Sequence, residues 1–440
     1  MRKQFTVILL LLACGMFAQD FDRALMDSLF SHIDMHDQGM GSISVFRDGT
    51  EVYGRASGYA SLEEGLKADR NTIYRVGSVS KMFTATIIMR LIGEGKLTPD
   101  TKLGDYFPEI GNADRITIMH LLRHRSGIFN FTDAEDYEEW MEQPVSREDL
   151  VRRISEYGTV FEPGEKAEYS NSNYVLLSLI AEKTEGKDFR DVLEEHITGP
   201  CKLRNTRMGG RISPDDHEAL SYSRIGEWKT ATETHMSVPM GAGAVVSTPA
   251  DLNRFLHCLF RGDLVGESTL EEMMQMEENF GIGMFRFPFY GKSAYGHTGG
   301  IDGFQSVVAF FPEENVSIAY LSNGVVMSVN EILIGALSIC FGRDYVFPVF
   351  TEAIDLEPEA LEKYTGVYSS PDFPFDVSIT IHDGMLTGQA TGQPSFPLEA
   401  YEPHNFRFDQ AGLKLEFIPG ENKMILRQAG MEFVLSRKEN

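Results

Sequence analysis

Two blocks of strand-forming sequence, set on either side of a long helical stretch, constrain this chain most. In the first block, spanning 42–60, Ile43 and Val45, then Val52 and Tyr53, flank Asp48-Gly49. That dipeptide suits a tight turn with positive φ, so the block predicts a hairpin. In the second, the apolar runs Phe304 to Phe311 and Val316 to Leu321 are joined by Pro312-Glu313-Glu314-Asn315, predicting another hairpin. Between them, from about 78 to 200, the periodicity is helical. Ser80-Lys81 leads into MFTATIIMRLIGEGKL, closed by Gly93 and Gly95; ITIMHLLRHRSG ends at Gly127, and NYVLLSLIAEKTEG at Gly186. Strands from both flanks and helices from the middle predict an α/β (α+β) fold. Its single antiparallel sheet is built from the two ends and flanked by helices, with a helical lobe inserted.

The character changes after Pro348. The acidic stretch EAIDLEPEAL reads as a linker or a short helix. Beyond it, strand-like runs at Tyr364 to Tyr368, Val377 to Ile381, Phe406 to Phe408, Lys414 to Ile418 and Met424 to Leu426 are separated by turn signals such as Asp383-Gly384 and Pro419-Gly420. Such spacing predicts a small all-β barrel or sandwich. The domains expected are therefore 19–350 and 352–440, with the boundary near 352.

Residues 1–18 are expected to be a leader rather than part of the fold. Arg2 and Lys3 precede the apolar run Phe5 to Leu12, and the small residues Ala13, Gly15 and Ala18 follow, the pattern of a secretory signal peptide. Leu11-Leu12-Ala13-Cys14 also resembles a lipoprotein cleavage box, so a secreted or periplasmic protein and one tethered to a membrane through acylated Cys14 are both open. No later stretch is apolar for long enough to span a bilayer. Cys201, Cys258 and Cys340 are odd in number and far apart; they predict small buried hydrophobes, with neither a disulfide framework nor a zinc spacing. A formal net charge of −25 repels phosphate backbones and argues against a nucleic-acid partner.

Three short motifs carry chemistry. Gly77-Ser78-Val79-Ser80-Lys81 opens the first long helix, and Ser and Lys three apart share a helix face, so Lys81 can reach the Ser78 hydroxyl. At a helix start the unpaired backbone N–H groups can stabilise an oxyanion. Burial and the helix dipole both favour the neutral amine that a base must be. Tyr169-Ser170-Asn171 follows the turn Phe161-Glu162-Pro163-Gly164: a tyrosine there can shuttle a proton, and an Asn amide can hold a substrate carbonyl. Tyr295-Gly296-His297-Thr298-Gly299-Gly300 precedes the Phe304 strand, and its glycines let a substrate approach the backbone. No histidine or cysteine cluster has ligand spacing, so no metal or cofactor is implied.

These motifs, in this order, resemble the serine β-lactamase and penicillin-binding-protein superfamily, in the branch holding class C β-lactamases, DD-peptidases and family VIII esterases. The resemblance covers about residues 38 to 345. It extends to His120-Leu121-Leu122, His124, Ser126-Gly127, Gly241-Ala242-Gly243 and Ser247-Thr248. It implies Ser78 as the acylated nucleophile, Lys81 as its base, Tyr169 as the general acid/base, and Asn171 as a substrate-positioning residue. His297-Thr298-Gly299 becomes the substrate-facing strand, and the N–H groups of Ser78 and Gly300 the oxyanion hole. The tail from about 361 looks like the lipocalin-like barrel appended to many such hydrolases. One residue departs from class C enzymes, which carry Lys where this chain has His297. An imidazole is mostly neutral near pH 7 and is expected to gain charge toward pH 6, which lowers the expectation of β-lactam hydrolysis at neutral pH.

The function expected is a serine hydrolase acting through an acyl-enzyme on small esters or on D-residue peptides and amides. The alternatives are a penicillin-recognising DD-carboxypeptidase or weak β-lactamase and, from another class, a non-catalytic ligand-binding or sensor module. Retention of Ser78, Lys81 and Tyr169 together argues against the last, because a pure binder needs no base.

Overall fold

The computed structural model describes residues 21–438 apart from 352, 355, 383, 392, 394, 429 and 430. The leader, Cys14, the boundary residue at 352 and Asp383 of the Asp383-Gly384 turn lie outside the described residues.

Both expected hairpins form. Asp48 and Gly49 take φ of 52° and 75°, the pair of positive values that a two-residue turn needs. Strand Gly39–Arg47 pairs on one side with Thr50–Ser57 and on the other with Val316–Val325, Ile43 lying opposite Tyr320. That pairing joins the two ends of the chain in one six-stranded antiparallel sheet. Its order is Phe285–Phe289, Lys292–Ile301, Phe304–Phe311, Val316–Val325, Gly39–Arg47, Thr50–Ser57. The Phe285–Phe289 edge strand was not expected: Pro288 interrupts its pattern, and Pro in a sheet belongs at an edge.

Both faces of the sheet are covered, which explains why its strands read as continuous apolar runs. Val45, Val307, Ala309 and Ile318 pack with the helices Arg23–Met35 and Val329–Cys340, while Val308, Phe310, Ala319 and Leu321 join the core of the helical lobe. The centre of that lobe is helix Ser80–Gly93, buried on nearly every side from Ser80 to Met89 and hence apolar all round. Against it lies Asn171–Glu185, closed by Gly186 in the left-handed region. The helix expected over 116–127 is shorter, Ile118–Leu122. His124 leaves it with φ 57°, and its carbonyl and ring nitrogen accept the backbone N–H groups of Glu168 and Ser170. The chain stops being helical there because it turns to hold the segment that presents Tyr169.

The tail is a closed barrel of eight strands around Tyr364, Tyr368, Phe406, Leu415 and Phe417. Strands Met385–Ala390, Phe396–Glu402 and Met431–Arg437 had no clear pattern in the sequence, Gly388 and Pro397 interrupting the first two. Within the acidic connector, Pro358–Leu361 is a short helix with Pro in its first turn. Among the described residues no helix is long and apolar enough to cross a membrane.

The cysteine expectation needs correction. Cys201 and Cys258 form a disulfide with Cα atoms 6.0 Å apart, and among the described residues only Cys340 is a free thiol, a buried one. The fold brings the turn after residues 194–198 against helix Pro249–Phe260, a closeness that sequence spacing cannot reveal. The bond closes a loop with a sequence separation of 57. Changing both cysteines to serine is therefore expected to lower unfolding free energy by about 4 kcal/mol, read as a drop in the urea midpoint. An unchanged midpoint contradicts this.

Candidate active site

Ser78 sits in the single turn Gly77–Val79 that feeds helix Ser80–Gly93. Gly77 has φ 49°, and a Cβ there would come within 2.8 Å of the Gly300 carbonyl oxygen, so the approach of this turn to the sheet requires glycine. Three residues on, Lys81 Nζ lies 2.9 Å from Ser78 Oγ. It also lies 2.6 Å from Asn171 Oδ1 and 2.8 Å from the Ala242 carbonyl oxygen. Lys81 is fully buried with no carboxylate partner among the described residues, and burial holds its pKa well below the ordinary lysine value. A neutral amine has two N–H donors. With these spent on Asn171 and Ala242, its lone pair faces the Ser78 hydroxyl.

Tyr169 donates its phenolic hydrogen to Ser78 Oγ at 2.9 Å. The ring stacks on buried His124 at 4.5 Å, and burial raises the phenol's pKa although its bond to Ser78 opposes this, so the resting group is a neutral phenol. His124 is itself held neutral by burial, with Lys81 and His297 adding to the effect. Asn171 opens its helix with its backbone N–H on Asn130 Oδ1 and its side-chain amide on Thr132 Oγ1 at 3.1 Å. Both ends of that amide are thus engaged, and Asn171 orients Lys81.

Strand Lys292–Ile301 forms the opposite wall. Its partner on the outer side reaches only to the Phe285–Gly296 pair, so the edge from His297 onward is open to an extended substrate. A side chain at Gly299 would strike the Val76 carbonyl oxygen at 2.1 Å and reach 3.0 Å from the Ser78 nitrogen. This glycine is what lets strand and nucleophile turn meet, bringing Gly300 beside Gly77. Thr298 points to the other face of the strand, toward a groove lined by Phe287 and Leu333, and makes no contact with the Ser78 cluster.

His297 corrects an expectation. It is buried between Phe285 and Tyr169, with Nδ1 bonded to the Thr298 carbonyl, and burial plus the nearby Lys81 lower its pKa to about 3. Toward pH 6 it gains no charge.

The cleft at Ser78 has a volume of about 360 Å³ and is walled by residues that the sequence did not single out, among them Phe131, Thr132, Tyr137, Met141 and Thr234. Among the described residues Asp302 is the only charged side chain lining it. Its carboxylate takes Arg75 Nη1 at 2.8 Å and both the N–H and hydroxyl of Thr234, at 2.9 and 2.7 Å. This buried pair ties the Thr234 segment to the turn after Gly300. An Arg three residues before the nucleophile and an Asp after its strand were the available signals, but their pairing spans 227 positions. Among the described residues no group of three or more His, Cys, Asp or Glu is placed to hold a metal ion.

Comparison with known proteins gives the chain's family and its relatives. The family model described as Beta-lactamase matches residues 15–334. Penicillin-binding protein 4* of Bacillus subtilis (strain 168) is 26% identical over 93% of this chain and 97% of its own length. Teichoic acid D-alanine hydrolase of Staphylococcus aureus (strain MRSA252) is 24% identical over 71% of this chain and 75% of its own. Among solved structures, D-amino acid amidase from Ochrobactrum anthropi SV3, complexed with L-phenylalanine, has a TM-score of 0.65 at 26% identity, covering 73% of this chain and 98% of that one.

Proposed function

The chain belongs to the Beta-lactamase family, and on that premise we propose that it hydrolyses esters or amides of D-amino acids through an acyl-enzyme on Ser78. The observation that carries this reading is Lys81: buried, with its pKa held well below the ordinary lysine value, and fixed by two carbonyl acceptors with Ser78 Oγ 2.9 Å away.

The chemistry follows from those contacts. As Ser78 Oγ attacks the carbonyl carbon, its proton passes to the Lys81 lone pair and the carbonyl oxygen becomes an oxyanion between the N–H groups of Ser78 and Gly300. The tetrahedral intermediate collapses as Tyr169, a neutral phenol, protonates the leaving nitrogen or oxygen, and Lys81 returns a proton to the phenolate. Water then attacks the acyl-enzyme by the same relay in reverse. The D-residue preference rests on two relatives, one named for teichoic acid D-alanine and one for D-amino acid amides. With Asp302 as its only charge among the described residues, already paired with Arg75, and with His297 neutral, the cleft offers no cation to a substrate carboxylate. This favours acyl groups without one over penicillins and C-terminal dipeptides. We place the protein outside the cytoplasm, since the Cys201–Cys258 disulfide and the leader pattern both suit an oxidising compartment.

The test is a panel of D-alanyl and L-alanyl p-nitroanilides and a chromogenic cephalosporin. The D-anilide should exceed the L-anilide in kcat/KM by about tenfold or more, with the cephalosporin slowest. A cephalosporin with the highest value, or an L-anilide equal to the D, overturns the substrate assignment.

Tyr169→Phe separates the acid role from packing. An amine leaving group must be protonated, whereas p-nitrophenolate departs unaided. The variant should lose about 10²- to 10⁴-fold on the D-anilide and far less on a p-nitrophenyl ester. Equal losses on both contradict the role.

A further inference from the structure

A second cleft, sharing no lining residue with the Ser78 cleft, has a volume of about 660 Å³ and lies among Arg70 and Asn71, the segment Cys201–Asn205, and the start of helix Pro249–Phe260. We propose that it binds a chain of adjacent phosphate groups, at a site separate from the acyl pocket.

Charge is the first argument. Arg70, Lys202, Arg204 and Arg254 line this cleft with only two carboxylates, Glu51 and Asp251. Glu51 pairs with Arg70 and Asp251 with Arg254. Lys202 and Arg204 have no acidic partner among the described residues, and the side-chain amides of Asn71 and Asn205 make no hydrogen bond there either. Two other grooves among the described residues show no such excess. The groove on the helical lobe sets Arg147, Arg152 and Lys183 against Glu109, Glu148, Glu156 and Glu182, and the groove at Thr298 sets Lys414 and Arg427 against Glu331 and Glu432. On a chain of net charge −25, an anionic ligand is repelled from most of the surface and drawn to this cleft.

Construction is the second. The disulfide ties Cys201 to Cys258 on the helix that carries Arg254, and the Asn205 N–H donates to Asp251 Oδ2 at 2.7 Å. Lys202 is held at φ 57°. The backbone under the two unpaired cations is thus fixed from both sides, so little ordering is needed on binding. Guanidinium forks and carboxamides suit phosphate oxygens, which offer more acceptors than a carboxylate. Two unpaired cations in a cleft larger than one phosphate call for at least two linked phosphates. A free oligophosphate and a base-free phosphodiester polymer both supply them.

The experiment uses the full chain and measures binding of short linear polyphosphate, poly(glycerol phosphate) and inorganic monophosphate by thermophoresis in dilute salt. At least one of the two chain ligands should bind about tenfold or more tightly than monophosphate, and which of them binds tighter identifies the source. The double variant Lys202→Ala, Arg204→Ala should weaken that binding by at least about tenfold through loss of two charge-assisted contacts. Lys202→Arg, Arg204→Lys should retain it. The Ser78 labelling rate should be unchanged in both variants, showing that the fold and the acyl chemistry are intact. Absence of binding by both chains, or an equal loss on removing Lys363 and Lys414 from the barrel, overturns the proposal. So does a single-stranded oligonucleotide that binds more tightly than either base-free chain.

Discussion

Lys81→Ala is expected to lower kcat on ester and anilide substrates alike by about three orders of magnitude. Ser78 has no other base within reach: Tyr169 is a phenol whose pKa burial has raised, and His124 spends its ring nitrogen on the Ser170 N–H. The substitution also leaves Asn171 Oδ1 and the Ala242 carbonyl without their donor, so the melting point should fall modestly. Activity must therefore be compared below it. Lys81→Arg, which keeps the charge and several donors, should be equally inactive, because a guanidinium does not give up its proton at these pH values. The wild-type pH profile has a defined sign. Only the neutral amine accepts the Ser78 proton, so kcat/KM should rise with pH through the lowered pKa of Lys81 and level off above it, well below the ordinary lysine range. A Lys81→Ala protein retaining more than a tenth of wild-type activity puts the base elsewhere. Activity that appears only above pH 10 shows that Lys81 is charged at rest.

What was legible in the sequence was local or periodic. Ser78 and Lys81 lie within one helical turn, so their contact follows from helix geometry alone. Asp48-Gly49 specifies its turn by backbone sterics, and the apolar runs at Phe304 and Val316 specify strands covered on both faces. That Tyr169 reaches Ser78, and Asn171 reaches Lys81, was not a local matter. The resemblance put both residues in the site, and the structure brings them there through the His124 turn that shortens its helix. Contacts between distant segments stayed hidden: Arg75 with Asp302, Asn171 with Thr132, Cys201 with Cys258. Each joins residues far apart in the chain, and nothing in their spacing marks the partner. His297 failed for a related reason. Its burial is decided by Phe285 on a neighbouring strand whose Pro288 hides it from a pattern search. The barrel followed the same rule: its strands with clean alternation were readable, while those containing Gly388 or Pro397 were not.

The largest effect of all should come from Ser78→Ala. The side chain is small and half-buried at the cleft floor, so its loss opens little space and the fold should persist. Losing the nucleophile removes the covalent route itself, and turnover should drop by at least about 10⁴-fold, leaving what oxyanion stabilisation and binding supply. The most direct measurement is mass spectrometry of proteolytic fragments after brief exposure of wild-type and Ser78→Ala proteins to a fluorophosphonate. The account predicts one adduct per wild-type chain, on the fragment containing Gly77-Ser78-Val79 and localised to Ser78, with the variant unmodified. An adduct on any other residue, or undiminished labelling of Ser78→Ala, contradicts it.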